Sequence, residues 1–464
     1  MTDTSALIPN SVAVSSDSLF TLKSSSVRAR SYRASVPSSN KSTFVGGDVA
    51  IFYIPGGRKN TYLDPQQSYI RYTVQYPSTT ATDSLYIDHV GSSFINRLDI
   101  FHASNLLETV QAYNVLYSYL VDFQFTQSAK QGLSAMYGCG NGTNSMRKGL
   151  PLYGNATAAN AQRLTFCMPL LSGTVGLGAD KFVPIGALSD DIRLELTWEA
   201  NDVAACYIAG TTAWTILNAE LELQIVELSD EGQSMVESVT PFSQPVFLHG
   251  NSWRHYVSTQ QATAGQFSYL VPARFASLKT LVCLPRRSTE VTSRTSYSIS
   301  SRANPNIDTY FWRVGAYIIP NKYVTLKNSN NTGGYAEAFA EVVKSFHSLN
   351  APQYAAGIPI DYYMSADAAD TNVGGGSSST SGGVYAVGSY TTSTSYQNAF
   401  AIAQELESFA NRSDILISGM NTLSSQVFFE GSIGTAPSNT YVLDFYANYD
   451  QIIVIENGIM SARF

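Results

Sequence analysis

Cysteine is scarce in this chain and never clustered. Cys139, Cys167, Cys206 and Cys283 are spread over 464 residues with no C-x-x-C pair, which argues against a zinc site or a disulfide framework. Charge is scarce as well. Asp, Glu, Lys and Arg together make up 14% of the chain, against about 25% in typical soluble proteins. A surface so poor in charge suits a subunit that packs neighbours against its flanks better than a monomer kept apart from its copies by repulsion. The formal net charge of −7 argues against the broad positive field that drives nucleic-acid binding over a whole face. The start, MTDTSALIPNSVAVSSDSLF, has no basic stretch leading into a sustained apolar one, and no run of about 18 apolar residues occurs anywhere. These absences predict an unsecreted, non-membrane protein made inside a cell.

Signatures of chemistry are also missing. Gly56 and Gly57 precede Arg58 and Lys59 without the spacing of a phosphate-binding loop and read as a turn, while the GGG at 374–376 sits in low-complexity sequence. The histidines are His89, His102, His249, His255 and His347. His249 and His255 would share one strand face but lie about 20 Å apart, too far for joint metal ligation. Asp190 and Asp191 would point to opposite faces of a strand, so they read as a turn rather than an acid and base couple. The 29 tyrosines are dispersed and not interleaved with basic residues, which favours core packing and interfaces over base stacking. The sequons at Asn141, Asn155 and Asn330 carry little meaning without a secretion signal. No catalytic, cofactor or metal residue is expected.

What the chain does contain is a succession of short strands. In SYIRYTVQY at 68–76, Ile70, Tyr72, Val74 and Tyr76 alternate with Tyr69, Arg71, Thr73 and Gln75, the period of two of a strand with one buried face. Further strands are predicted at 49–55, 94–102, 163–170, 191–198, 213–228, 246–257, 266–272, 278–284, 310–319, 414–418, 424–430 and 440–455. Many short strands signal an all-β barrel or sandwich. Two helices interrupt them. At 106–123, Leu106, Val110, Tyr113, Tyr117 and Leu120 draw one helical stripe, with Asn105 as N-cap and Glu108 placed for a capping box. The same spacing of four, three, four, three recurs at 335–349 through Tyr335, Phe339, Val342, Phe346 and Leu349.

These stripes begin at positions 106 and 335, and the acidic turns closing two long strands, ILNAELELQIVELSDEG and VLDFYANYDQIIVIENG, end at Gly232 and Gly458. A similar offset at two separated points indicates one plan used twice. At 464 residues the chain also exceeds the roughly 250–300 at which a single core stops growing. We therefore expect a flexible, mildly basic arm at 1–45, a first barrel at 46–238 and a second at 239–464, with a linker near 235–245. The Gly/Ser-rich stretch 366–396 is expected to form an exposed loop.

With the strand-then-helix unit FINRLDIFHASNLLETVQAYNVLYSYLVDF and the stretch SGTVGLGADKFVPIGALSDDIRLELTWEA in view, residues 45–464 resemble double jelly-roll major capsid proteins of the tectivirus and adenovirus lineage, above all those of virophages and Polinton-like viruses. Two features depart from the pattern. The second half lacks a clear counterpart of 172–188, and the 366–396 loop has no partner in the first. The resemblance implies two consecutive jelly-roll barrels with short helices in inter-strand connections. It implies a homotrimer forming a pseudo-hexameric capsomer that tiles the icosahedral shell of a DNA virus. Neighbouring capsomers, penton and minor capsid proteins would be partners, the virion assembled in the host cell would be the location, and neither catalysis nor a cofactor would be involved. The arm would lie inside, bridging capsomers or touching packaged nucleic acid or an internal membrane through Arg28, Arg30, Arg33 and Lys41. The alternatives are a jelly-roll glycan-binding or host-attachment protein, and a two-barrel enzyme whose carboxylates or histidines converge in a cleft.

Overall fold

The computed structural model describes residues 27–139, 149–157, 161–326, 335–347, 358, 363, 399–408 and 417–464. Residues 1–26 of the expected arm, the 366–396 stretch, the sequons at Asn141 and Asn330, Leu349 and positions 414–416 lie outside the described residues.

The first half opens with β1 (Ala29–Pro37), β2 (Thr43–Phe44), β3 (Val49–Ile54), β4 (Thr61–Tyr76) and β5 (Ser84–Ile87). It continues with β6 (Ile95–His102), β7 (Asn105–Val110), α1 (Tyr113–Gln124), α2 (Gln127–Gly132), α3 (Ser134–Tyr137) and β8 (Pro151–Tyr153). β9 (Gln162–Pro169), β10 (Ile192–Trp198), β11 (Ala205–Ala209), β12 (Thr215–Leu228) and α4 (Asp230–Val239) complete it. The second half comprises β13 (Val246–Gln260), β14 (Gly265–Val271), β15 (Leu278–Arg287), β16 (Ile307–Val314) and β17 (Tyr317–Thr325). Then come α5 (Tyr335–Ser345), β18 (Ile402–Glu405), β19 (Val427–Ile433), β20 (Tyr441–Glu456) and β21 (Ile459–Arg463).

The duplication is plain in the strand order. One pair of sheets runs β1-β12-β4-β9 and β3-β10-β6-β7, the other β13-β20-β15-β18 and β14-β19-β16-β17. Counting barrel strands in chain order, both halves place the first beside the eighth, the eighth beside the third and the third beside the sixth. In both, the opposing sheet joins second, seventh, fourth and fifth. This antiparallel arrangement is a jelly roll, made twice. Alternation positions the cores: Ile70, Tyr72, Val74 and Tyr76 of β4 are all fully buried, as their period of two requires. Tyr72 meets Trp198 of the facing sheet with ring centroids 5.2 Å apart, and Trp312 meets Phe445 at 6.0 Å in the second barrel. Such tilted and edge contacts each add about 0.5–1.5 kcal/mol beyond area burial.

Several expectations need correction. Residues 105–110 are a strand, not the first turns of a helix: they form a hairpin with β6 around Ala103, whose φ is 51°. Asn105 therefore does not cap a helix, Leu106 is 48% exposed, and α1 starts only after Ala112, at φ 45°. The stripe misled because a strand ending in Leu-Glu-Thr-Val also puts apolar side chains inward. Similarly, the strand expected at 310–319 is two strands turning at Gly315, whose φ of 58° admits the tight turn. Ile417 and Ser418 are not in a strand. Nor is all of 1–45 a loose arm. Ala29–Pro37 pairs with Leu228–Glu220 along its whole length, and Tyr32, Ala34 and Val36 pack on the core. An edge strand needs only one apolar face, so its poverty in aliphatics did not signal it. The first barrel thus begins near residue 29, and the expected linker at 235–245 starts inside α4, whose N-cap Ser229 accepts from Gly232 N–H.

The 172–188 segment has a counterpart after all. Between β9 and β10 it returns to β4 through a Leu63–Val183 bridge, and between β18 and β19 the chain returns to β15 through a Leu278–Met420 bridge. The first-half segment does more, because it also reaches the second barrel. Asn251 N–H donates to Gly178 O at 2.8 Å, Asp180 N–H donates to His249 O at 3.2 Å, and Ala179 bridges Gly250. Backbones meet so closely here that a Cβ on Gly250 would lie 2.0 Å from Gly173 O. Gly250→Ala should accordingly destabilise the fold by about 1–3 kcal/mol through overpacking, read as a lower urea midpoint.

Candidate functional site

The seam between the barrels gathers the buried polar groups that the cores exclude. Glu108 of β7, 2% exposed, accepts from Ser172 Oγ at 2.6 Å, Gly173 N–H at 3.0 Å, and Thr174 N–H and Oγ1 at 3.3 and 3.1 Å. Ser252 of β13 donates to the same carboxylate. One side chain therefore ties a first-barrel strand, the 172–188 segment and the second barrel together.

A second cluster centres on Asp122 of α1. Its Oδ1 faces Lys130 Nζ at 3.3 Å and His89 Nε2 at 3.2 Å, while its Oδ2 pairs with Arg302 from the second half. All four side chains are buried. Around them the two matched helices meet: Tyr119 of α1 packs on Phe346 just beyond α5 at 5.5 Å, and Phe123 packs on Phe339 at 6.3 Å. From the second stripe the contact is made by Phe339 and Phe346, whereas on α1 it falls to Tyr119 and Phe123, beside the stripe.

His249 supplies the third tie. Its Nε2 lies 3.0 Å from Asp450 Oδ1, and its Nδ1 pairs with Asp180 of the 172–188 segment. A neutral imidazole carries only one N–H, so engaging both carboxylates calls for the cation. The hydrogen bond to Asp450, then that to Asp180, raises the pKa of His249 above its ordinary value, against the effect of burial. Burial pushes Asp450 up, but hydrogen bonds from His249 and Ser277 outweigh it and hold the carboxyl low. A raised histidine contributes stability in full below its unfolded pKa of about 6.5 and loses it as pH climbs through the folded value. Protection factors of the amides at 178–180 and 249–251, with the intrinsic base-catalysed exchange rate divided out, should therefore fall as pH rises above about 6.5. His249→Gln should remove that dependence; an unchanged pH profile in the variant would contradict the assignment.

The basic residues predicted as contacts fall on or near β1 and are already engaged. Arg30 pairs with Glu227 at 2.7 Å, Arg33 with Glu222 at 3.3 Å and Lys41 with Asp48 at 2.8 Å, while Arg28 is exposed and its carbonyl accepts from Ser229 N–H. Arg33 and Arg71 both reach Glu222, and together they cover it. His249 and His255 stay on one strand without converging; His255 pairs with Asp444 at 2.9 Å. Asp190 and Asp191 precede β10, where Asp191 accepts from Gly56 N–H.

Sequence reasoning missed one constellation. His347 after α5 and Glu405 and Glu407 at the end of β18 place one ligand atom each within 4.8 Å of one another. The visible half of this signal was the pair Glu405, the last residue of β18, and Glu407, two residues on and beyond the strand. His347 also lines a cavity of about 270 Å³ between the halves, with Tyr119, Leu171, Asn251, Trp253 and Lys279.

No protein-family model matches the chain, and no curated protein sequence matches it. Its strand order defines it as a double jelly roll, and solved structures share that fold along almost its entire length. The PBCV-1 virus capsid aligns with a TM-score of 0.58 at 9% identity, over 96% of this chain and 98% of that one. A chain in the structure of the Sputnik virophage gives 0.57 at 12% identity over 98% and 93%, and the mavirus major capsid protein 0.52 at 9% over 97% and 93%. At such identities the likeness is one of fold.

Proposed function

We propose that the chain is a major capsid protein whose trimer, with six barrels in ring, makes a pseudo-hexameric capsomer for an icosahedral shell. The observation that carries this reading is the pair of like barrels, of one strand order, locked by a buried seam. Two similar barrels per chain let a three-fold object pack as a hexagon. The full-length match to the PBCV-1 capsid and the mavirus major capsid protein supports it. So do apolar side chains left exposed on edge strands, Phe247 and Val257 of β13, Leu270 of β14 and Tyr317 and Tyr323 of β17, which fit further self-association. The role is one of packing, without catalysis. Electron microscopy of the purified 50.3-kDa chain should show trimers of hexagonal outline or closed shells. A persistent monomer at micromolar concentration would overturn the reading.

Within that shell we assign Arg28, Arg30, Arg33 and Lys41 to contacts with neighbouring capsomers or with packaged nucleic acid or membrane. The carboxylate partners of Arg30, Arg33 and Lys41 leave little net field, which favours short-range contacts over long-range steering. Replacing Arg28, Arg30, Arg33 and Lys41 together by glutamine keeps the backbone of β1 and removes the assigned charges, so it separates the roles. Trimers without shells would support bridging; intact, normally filled shells would reject it.

A further inference from the structure

Where α5 ends, His347 stands two residues beyond the helix with φ 55°. Its Nε2 is 3.2 Å from Glu407 Oε2 and its Nδ1 3.7 Å from Glu405 Oε2. Glu405 is only 8% exposed, and its Oε2 accepts no hydrogen bond, although Oε1 takes Glu407 N–H at 2.9 Å. A buried carboxylate oxygen without a donor is costly, and in a native fold it calls for an occupant. The neighbouring ammonium of Lys279 is directed elsewhere, to Glu407 Oε1 at 2.7 Å, Asn251 Oδ1 at 3.3 Å and Asp450 Oδ1 at 3.6 Å.

We propose that His347, Glu405 and Glu407 bind one divalent transition-metal ion of the zinc class through one imidazole nitrogen and two carboxylate oxygens. An imidazole ligand suits zinc and its late transition-metal neighbours, against the all-oxygen preference of calcium, magnesium and manganese. Glu407 can serve while keeping Lys279, because Lys279 holds Oε1 and leaves Oε2 toward His347. The cavity of about 270 Å³ that His347 lines gives water room to complete the coordination sphere. The ion would clamp the end of α5 to the short edge strand β18. Phe346 next door packs on Tyr119 and Phe123 of the first barrel, so the clamp would stiffen the seam as well.

The test is a titration of the chelator-treated full chain with Co²⁺, a spectroscopic stand-in for Zn²⁺. One ion per chain is expected, with a visible d–d band that Zn²⁺ abolishes and a thermal midpoint that rises with metal concentration. His347→Gln and Glu405→Gln should each weaken binding by more than the ~10–100-fold that follows loss of a hydrogen-bond partner behind a ligand. Should Glu405→Gln fail to fold, His347→Gln decides alone, its side chain being partly solvent-exposed. Absence of a stoichiometric Co²⁺ band, its survival in either folded variant, or tighter binding of Ca²⁺ than of Zn²⁺ would each overturn the site.

Discussion

Asp122→Ala should destabilise the protein by at least about 3–5 kcal/mol, measured by urea unfolding at neutral pH. The carboxylate faces two buried cations, Lys130 and Arg302, and a buried histidine, His89. Removing it leaves like charges uncompensated in a low-dielectric interior, which is the costly half of any buried ion pair. Arg302→Met offers the informative contrast. It deletes one cation but leaves Asp122 paired with Lys130, so the expected loss is only that of a charge-assisted hydrogen bond, about 1.5–3 kcal/mol. The order matters more than either value: an Arg302→Met loss equal to or larger than that of Asp122→Ala would mean that Asp122 is not the hub. Because Arg302 comes from the second half and Asp122 from the first, both variants should also loosen the seam.

Glu108→Gln should cost about 3 kcal/mol although it changes a single atom. The hydroxyls of Ser172, Thr174 and Ser252 can rotate to accept from an amide, but the backbone N–H groups of Gly173 and Thr174 cannot. They address opposite oxygens, Oε1 and Oε2. Whichever way the amide is turned, its NH₂ confronts one of them. On the Oε1 side it orphans Gly173 N–H; on the Oε2 side it leaves Thr174 N–H only the Ser172 hydroxyl, which accepts from it at 3.0 Å, while the remaining bonds lose their charge. Calorimetry or urea unfolding, with hydrogen exchange at 172–174, checks the prediction. A change within about 0.5 kcal/mol, the range of an ordinary surface substitution, would falsify it.

Glu108 also shows where sequence reading reaches its limit. In sequence it stood three residues after Asn105, as a capping-box residue should; in the fold it is a clamp between barrels, and nothing local distinguishes the two. The alternating apolar set of β4 was legible because its period comes from the strand itself. The doubling was legible because the two helices and the two closing strands recur at similar offsets, although the first stripe borrowed Leu106 and Val110 from β7; each helix follows the fifth barrel strand, and each closing strand is the eighth. β1 was missed because its alternation, Tyr32, Ala34 and Val36, is made of weakly apolar residues that rely on β12 for shelter. The His347, Glu405 and Glu407 group depends on a long-range approach between α5 and β18, for which position along the chain offers no cue. Arg33 was expected to reach another molecule of the shell, and only the pairing of β1 with β12 brings Glu222 beside it.

The strand order has a consequence for how fast subunits can appear. In each barrel the eighth strand, β12 or β20, lies between the first and the third, joining partners as distant as Ala29 with Leu228 and Val246 with Ile455. Until it inserts, two strand edges face each other unpaired, and the loop to be closed spans nearly the whole half. Non-local pairing of this kind makes folding slow and exposes edges to wrong partners. The supply of finished building blocks is then timed twice, once for each barrel, by the arrival of its keystone strand.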